Sequence, residues 1–299
     1  MQTAWVFPGQ GSQKLGMGKD VIEIDDAKRR FEYASDLFKR DLFHICGVQT
    51  ENGSGDNDLN HTKNTQICLF LVESILLDSL KAKGYKPNYL AGHSLGEITA
   101  LYAAEVLPFE ECVALIKIRS ELMSSAPPGA MAALIGFDRG EVVKALKNID
   151  NVGIANDNSS TQIVLSGQKE ALEDFSKSIN FKRFIFLNVS GAFHSDFMIE
   201  PSQKFSQYLD ELNFKDPIIP VISNSNPIIS NKALELKIRL KDQMCNGVRW
   251  RETMDFIYDD CSNCHFVEIG PSNVLGGLAK RHLKDIQISQ ISSIKQLSY

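Results

Sequence analysis

Apolar residues recur along this chain with two different periods, and the alternation between them predicts an α/β protein. Thr3–Phe7 (TAWVF) and Tyr89–Gly92 are short solid apolar runs that end at turn-forming residues and read as buried strands. Stretches 65–83, 94–105 and 109–124 carry helical spacing. Strand, glycine-containing turn and helix in succession point to a parallel sheet covered by helices.

From about Met131 the rhythm changes. Segment 131–137 reads as strand, 139–147 as helix, 152–156 and 162–166 as strands, 169–179 as helix and 183–189 as strand. That βαββαβ order predicts a small ferredoxin-like domain over 128–190, inserted into a large α/β domain made of 1–127 and 191–299. Pro127–Pro128 and the turn 190–193 are the expected joints. The remainder predicts helices over 196–212, 233–245 and 251–259, strands over 219–223 and His265–Ile269, and a last helix to about Arg281. The polar stretch 51–60 (ENGSGDNDLN) reads as a solvated loop, since its acids lack calcium-ligand spacing.

Composition narrows the class. A chain of 299 residues suits one large domain with an insert. The net charge of -5 argues against a nucleic-acid binder. Met1 leads straight into the first strand with no secretory pattern, and the longest apolar run, 67–77, is too short to span a bilayer and is broken by Glu73. Six sparse cysteines fit a reducing cytoplasm better than a disulfide scaffold.

The sharpest local signal is Gly92-His93-Ser94-Leu95-Gly96, a G-x-S-x-G between a predicted strand and a predicted helix. A serine on such a turn has its hydroxyl exposed. The flanking glycines allow tight backbone approach, and the helix that follows aims N–H groups where an oxyanion would form. A nucleophilic serine needs a base. Of the histidines at 44, 61, 93, 194, 265 and 282, His93 sits beside the serine on a turn where neighbours point apart. His194 lies on a predicted turn, and the sequence alone does not choose among them. No acid stands out as a third member, so a Ser–His dyad is the more natural arrangement.

PGQGSQ at 8–13, GHSLGE at 92–97, IRSELM around Arg119 and GAMAALIG at 129–136 occur in that order. AFHSDFM at 192–198, QMCNGVRW at 243–250 and EIGPSNVLGGLAKR at 268–281 follow. Together they resemble the malonyl-CoA:acyl carrier protein transacylases of fatty acid and polyketide synthesis, and the resemblance runs over nearly the whole chain. It implies Ser94 as the acylated nucleophile and His194 as its base. By the same resemblance the main-chain carbonyl of Gln243 orients that histidine, and the N–H groups of Gln10 and Leu95 form the oxyanion hole. Arg119 would grip the malonyl carboxylate, as a planar guanidinium can with two parallel hydrogen bonds. Phe193 would restrict the acyl group by its bulk. Malonyl-CoA and an acyl carrier protein are the implied partners, and the covalent ping-pong route calls for neither cofactor nor metal. FHSDFM and ALYAAE lean toward stand-alone enzymes that serve polyketide synthases in trans.

Departures from the family pattern are Ile67, Ala192 and Gly247 where proline is common, and Ser160-Thr161 in place of Pro-Gly. They alter loop stiffness rather than chemistry. Cys261-x-x-Cys264-His265 matches a haem-attachment motif, but nothing else in the chain supports it. The PGQGSQ loop lacks the lysine of a phosphate-binding loop. Lys182, Arg183, Arg249, Arg251, Lys280 and Arg281 are candidate contacts for an acidic carrier. The rival functions are an acyl hydrolase acting on carriers and a non-catalytic carrier-binding scaffold. Arg119 speaks against the first, and the retained Ser94 and His194 against the second.

Overall fold

The structure, a computed structural model, describes residues 2–48, 58–189, 191–261 and 264–297. Its larger sheet has six strands in the order β10-β9-β1-β2-β7-β8: β1 (Thr3–Phe7), β2 (Tyr89–Gly92), β7 (Val221–Ile222), β8 (Ile229–Ser230), β9 (His265–Ile269) and β10 (Gln287–Ile291). All neighbouring pairs are parallel except β7 with β8. Alternation along β1 divides the core. Trp5 and Phe7 face one cluster with α3 (Thr62–Ala82), α4 (Gly96–Ala103) and α5 (Phe109–Ser124). Ala4 and Val6 face the other, with α10 (Trp250–Asp260) and α11 (Val274–His282). A sheet covered on both faces explains why its inner strands read as solid apolar runs.

The second sheet is antiparallel, ordered β4-β5-β3-β6 from β3 (Ala130–Phe137), β4 (Val152–Ser159), β5 (Gln162–Gly167) and β6 (Phe181–Phe186). This is the order a ferredoxin-like βαββαβ unit takes. Leu134, Ile163 and Leu165 pack on Val142, Leu172 and Phe175 of α6 (Arg139–Leu146) and α7 (Lys169–Lys177). Met131, Ala133, Ala155 and Val164 join the large core on the opposite face. A polar junction adds to this packing. Asp157 of β4 accepts from Arg139 Nη1 and Nη2 at 3.0 and 2.8 Å and from Arg251 Nε of α10 at 3.0 Å. His282 of α11 touches Asp255 at 2.7 Å, and its Nδ1 accepts the Ser160 N–H at 3.2 Å. Arg251 is thus a structural tie rather than an open contact for a carrier, and Arg249 pairs with Glu252. Lys182, Arg183, Lys280 and Arg281 are exposed.

Several elements differ from the pattern reading. Helix α3 starts three residues early, at Thr62, and is buried on nearly every side, so periodicity could not mark its beginning. Helix α4 starts at Gly96 rather than 94, because Ser94 holds a left-handed conformation with φ 54°. Helices α1 (Ala27–Phe38) and α2 (Leu42–Ile45) have no counterpart in the reading above. α1 buries a thin stripe of Ala27, Arg30, Phe31 and Ala34 in a polar sequence. The edge strand β10, QISQI, is half polar and was equally inconspicuous. α8 (Ile199–Glu211) follows a single 3-10 turn at Asp196–Met198, and α9 spans Ala233–Asp242. Loop residues 51–57, Ser190 of the expected joint, and Ser262 and Asn263 lie outside the described residues.

Because Arg251 reaches across to Asp157, Arg251→Ala should lower stability by about 1–3 kcal/mol in urea unfolding. Lys177→Ala, which breaks only an exposed pair with Asp174, should leave it essentially unchanged. Equal effects of the two substitutions would refute the tie.

Candidate active site

The nucleophile turn is built by close backbone contact. A Cβ on Gly92 would fall 1.9 Å from the carbonyl of Gly96, and one on Gly96 would fall 2.0 Å from Phe7 O. Only glycine at both places lets β1, β2 and α4 meet around Ser94. The strained Ser94 backbone is braced by Asn224, whose Oδ1 accepts the Ser94 N–H at 2.6 Å while its Nδ2 donates to Gly92 O. Asn224 was not singled out from sequence, and it lies in a plain Ser-Asn-Ser-Asn loop after β7.

His194 reaches the serine from across the chain, its Nε2 2.8 Å from Ser94 Oγ. Its Nδ1 lies 2.9 Å from Gln243 O and 3.2 Å from Asn246 O. Two carbonyls can only accept, so Nδ1 carries the proton and Nε2 is the acceptor facing the serine hydroxyl. The histidine sits at φ 57°, a second strained point in the site. His93 turns away, bonding Asn158 of β4 at 2.8 Å and packing edge-on against Trp250. His282 and His265 bond elsewhere.

Arg119 of α5 is 1% exposed and has no carboxylate in salt-bridge contact among the described residues. Nη1 donates to Gln66 Oε1 at 2.7 Å, and Nη2 donates to Gln243 Oε1 at 2.8 Å and to Ser94 Oγ at 3.0 Å. Its Nε–H, though buried, has no acceptor among the described residues. Burial holds its pKa down at about 10, against the opposing pull of Glu97. Gln243 is the junction: beyond holding His194 and Arg119, its Nε2 donates to Ser94 O at 2.9 Å and to Glu97 Oε2 at 2.7 Å. Glu97 is itself buried, on the first turn of α4.

Gln10, Gln66, Ser94, Leu95, Arg119, Phe193 and His194 line a cavity of about 70 Å³, with Met123 and Met131 on its apolar side. Phe193 is 4% exposed and closes part of that wall. The structure therefore brings together every residue singled out for the site. A larger cleft of about 730 Å³ opens behind Asn246 and Gly247, beside Asp157 and Asp242, but neither Ser94 nor His194 lines it. Beside Ser94, a small pocket with a buried cation suits a short acyl group that ends in an anion.

The chain is similar to known proteins over nearly its whole length. The family model for the acyl transferase domain matches residues 4–297. A malonyl CoA-acyl carrier protein transacylase of Synechocystis sp. (strain ATCC 27184 / PCC 6803 / Kazusa) is 43% identical over 299 residues, covering 100% of this chain and 99% of that protein. The polyketide biosynthesis malonyl CoA-acyl carrier protein transacylase PksC of Bacillus subtilis (strain 168) is 38% identical over 292 residues, covering 95% and 98%. A solved structure described as a type II PKS acyl-carrier protein in complex with its malonyl-transacylase superposes with a TM-score of 0.91 at 33% identity, covering 99% of this chain and 98% of that one.

Burial first, and then the Arg119 charge, depress the His194 pKa from 6.5 to about 3. A base must be neutral to act, so acylation of Ser94 should lose rate only as pH falls far below the ordinary imidazole range. With p-nitrophenyl acetate, a neutral ester with no use for the arginine, the acid limb should lie below about pH 5. In Arg119→Met one cause of the depression is gone, and the limb should move up toward 6.5. Coincident limbs near 6.5 in both proteins would contradict this assignment.

Proposed function

The chain belongs to the acyl transferase domain family, and on that premise we propose that it moves a malonyl group from malonyl-CoA to the phosphopantetheine thiol of an acyl carrier protein. The observation that carries the reading is Arg119: a fully buried guanidinium, bonded among the described residues only to neutral groups and reaching Ser94 Oγ at 3.0 Å. A neutral acyl group would leave this cation without a counter-charge in a dry pocket, whereas malonyl brings a carboxylate.

The chemistry follows as two matching half-reactions. His194 Nε2 takes the proton of Ser94 Oγ as the oxygen attacks the thioester carbonyl of malonyl-CoA. Collapse of the tetrahedral intermediate breaks the C–S bond, and CoA leaves with the proton from His194. The carrier thiol then gives its proton to His194 and attacks the malonyl-serine ester; the bond from Ser94 Oγ to the acyl carbon breaks, and Oγ takes the proton back from His194. We assign oxyanion stabilisation to the backbone N–H groups of Gln10 and Leu95, which border the cavity. The carbonyls of Gln243 and Asn246 hold the His194 tautomer in place of an acid. The substrate also tunes its own base: pairing of its carboxylate with Arg119 weakens one of the two main causes that depress the His194 pKa. Phe193 sets the width of the acyl pocket.

Each proton transfer in this route belongs to a side chain of the protein, so the proposal includes no cofactor and no metal. Six free cysteines favour a reducing cytoplasm, and no helix among the described residues is long and apolar enough to cross a membrane. Extender supply to a polyketide synthase and supply to fatty acid synthesis use the same chemistry. A carrier-clearing hydrolase would use the same serine and histidine but gains nothing from Arg119.

Intact-protein mass spectrometry tests the proposal. Malonyl-CoA should add one malonyl group to the wild-type chain and none to Ser94→Ala, and the adduct should pass to an added holo carrier protein. Loss of the adduct to water faster than to the carrier would support the hydrolase instead, and absence of any adduct would refute both.

A further inference from the structure

Arg119 and Glu97 place a guanidinium and a carboxyl group in the buried site, and they do not touch. The amide of Gln243 stands between them, its Oε1 accepting from Arg119 Nη2 at 2.8 Å and its Nε2 donating to Glu97 Oε2 at 2.7 Å. The amide dipole is aligned with both charges, negative end to the cation and positive end to the anion. Its second N–H holds Ser94 O at 2.9 Å, which fixes the orientation. Glu97 Oε2 also receives the Asn224 N–H at 3.3 Å, from the residue that braces the nucleophile turn.

This spacing has a consequence for binding. A carboxylate directly on Arg119 would occupy the guanidinium edge that the substrate needs. A site with no buried anion would leave the cation uncompensated when empty and hold malonyl as its only counter-charge. One amide of separation keeps Arg119 charged and hydrogen-bonded to neutral groups that a substrate carboxylate can displace. We propose that Glu97 is a displaced counter-ion that sets how tightly the malonyl-enzyme is held: its charge opposes the incoming malonyl carboxylate, so the acyl group binds well enough to load and weakly enough to leave. Burial raises the Glu97 pKa, while the Gln243 and Asn224 hydrogen bonds and the Arg119 charge pull it back down. Glu97 acts through Gln243 and Arg119, and it is a specificity-determining residue rather than a catalytic one.

The inference rests on the malonyl reading, and its test separates the two. The quantity to measure is the loading equilibrium of Ser94 with malonyl-CoA against free CoA, and the same for acetyl-CoA, in wild type and Glu97→Gln. The glutamine keeps an acceptor for Gln243 and Asn224 and loses the charge. The malonyl constant should rise roughly tenfold while the acetyl constant stays within about twofold. A role in packing alone would lower both constants together, and that result, or no change in either, overturns the inference. A wild type that takes no malonyl would sink the functional reading itself. Should Glu97→Gln fail to fold, infrared difference spectra of wild type loaded with ¹³C-malonyl or with acetyl give the answer without a variant. Malonyl should shift a buried glutamate carboxylate band that acetyl leaves in place, and no such shift overturns the proposal.

Discussion

The constraint on which the site depends is the burial of one guanidinium without a carboxylate against it. Taking a charge out of water costs several kcal/mol unless hydrogen bonds and a counter-charge compensate. Here Gln66, Gln243 and Ser94 supply hydrogen bonds to Arg119, and Glu97 supplies charge at one remove. The same cation depresses the pKa of His194 and donates to the nucleophile. On the proposed function, substrate choice, the readiness of the base and the orientation of Ser94 Oγ all depend on one group.

The fold makes that arrangement possible by bringing distant segments to one point. The larger sheet presents Ser94 at the end of β2, α5 delivers Arg119 beneath it, and the segment after α9 delivers Gln243. The smaller sheet completes the enclosure, with Met131 of β3 on the pocket wall and Asn158 of β4 holding His93 away from the serine. Two residues at positive φ, Ser94 and His194, carry the strain of the meeting, and neighbours hold each in place. The Arg251–Asp157 junction fastens the smaller sheet where its displacement would open the pocket.

Much of this was legible in the sequence because the decisive residues sit in distinctive local patterns. G-x-S-x-G between a strand and a helix announces its serine, and solid apolar runs such as Thr3–Phe7 announce buried parallel strands. Other features were silent for physical reasons. Asn224 and Glu97 act through contacts at separations of 127 and 130 residues, and no local period encodes them. Helix α1 and strand β10 lie where few apolar side chains are needed, so their patterns are faint. That His194 rather than any other histidine faces Ser94 followed from the family resemblance, not from spacing.

The most direct measurement of the central claim is the ratio of initial rates at which Ser94 takes malonyl and acetyl from their CoA thioesters, in wild type and in Arg119→Met. If the buried guanidinium selects the substrate by its carboxylate, the variant should lose malonyl loading by about 10²–10³-fold while acetyl loading stays within a few-fold of wild type or rises. Loss of both in equal proportion would show that Arg119 only supports the architecture, and would contradict the account.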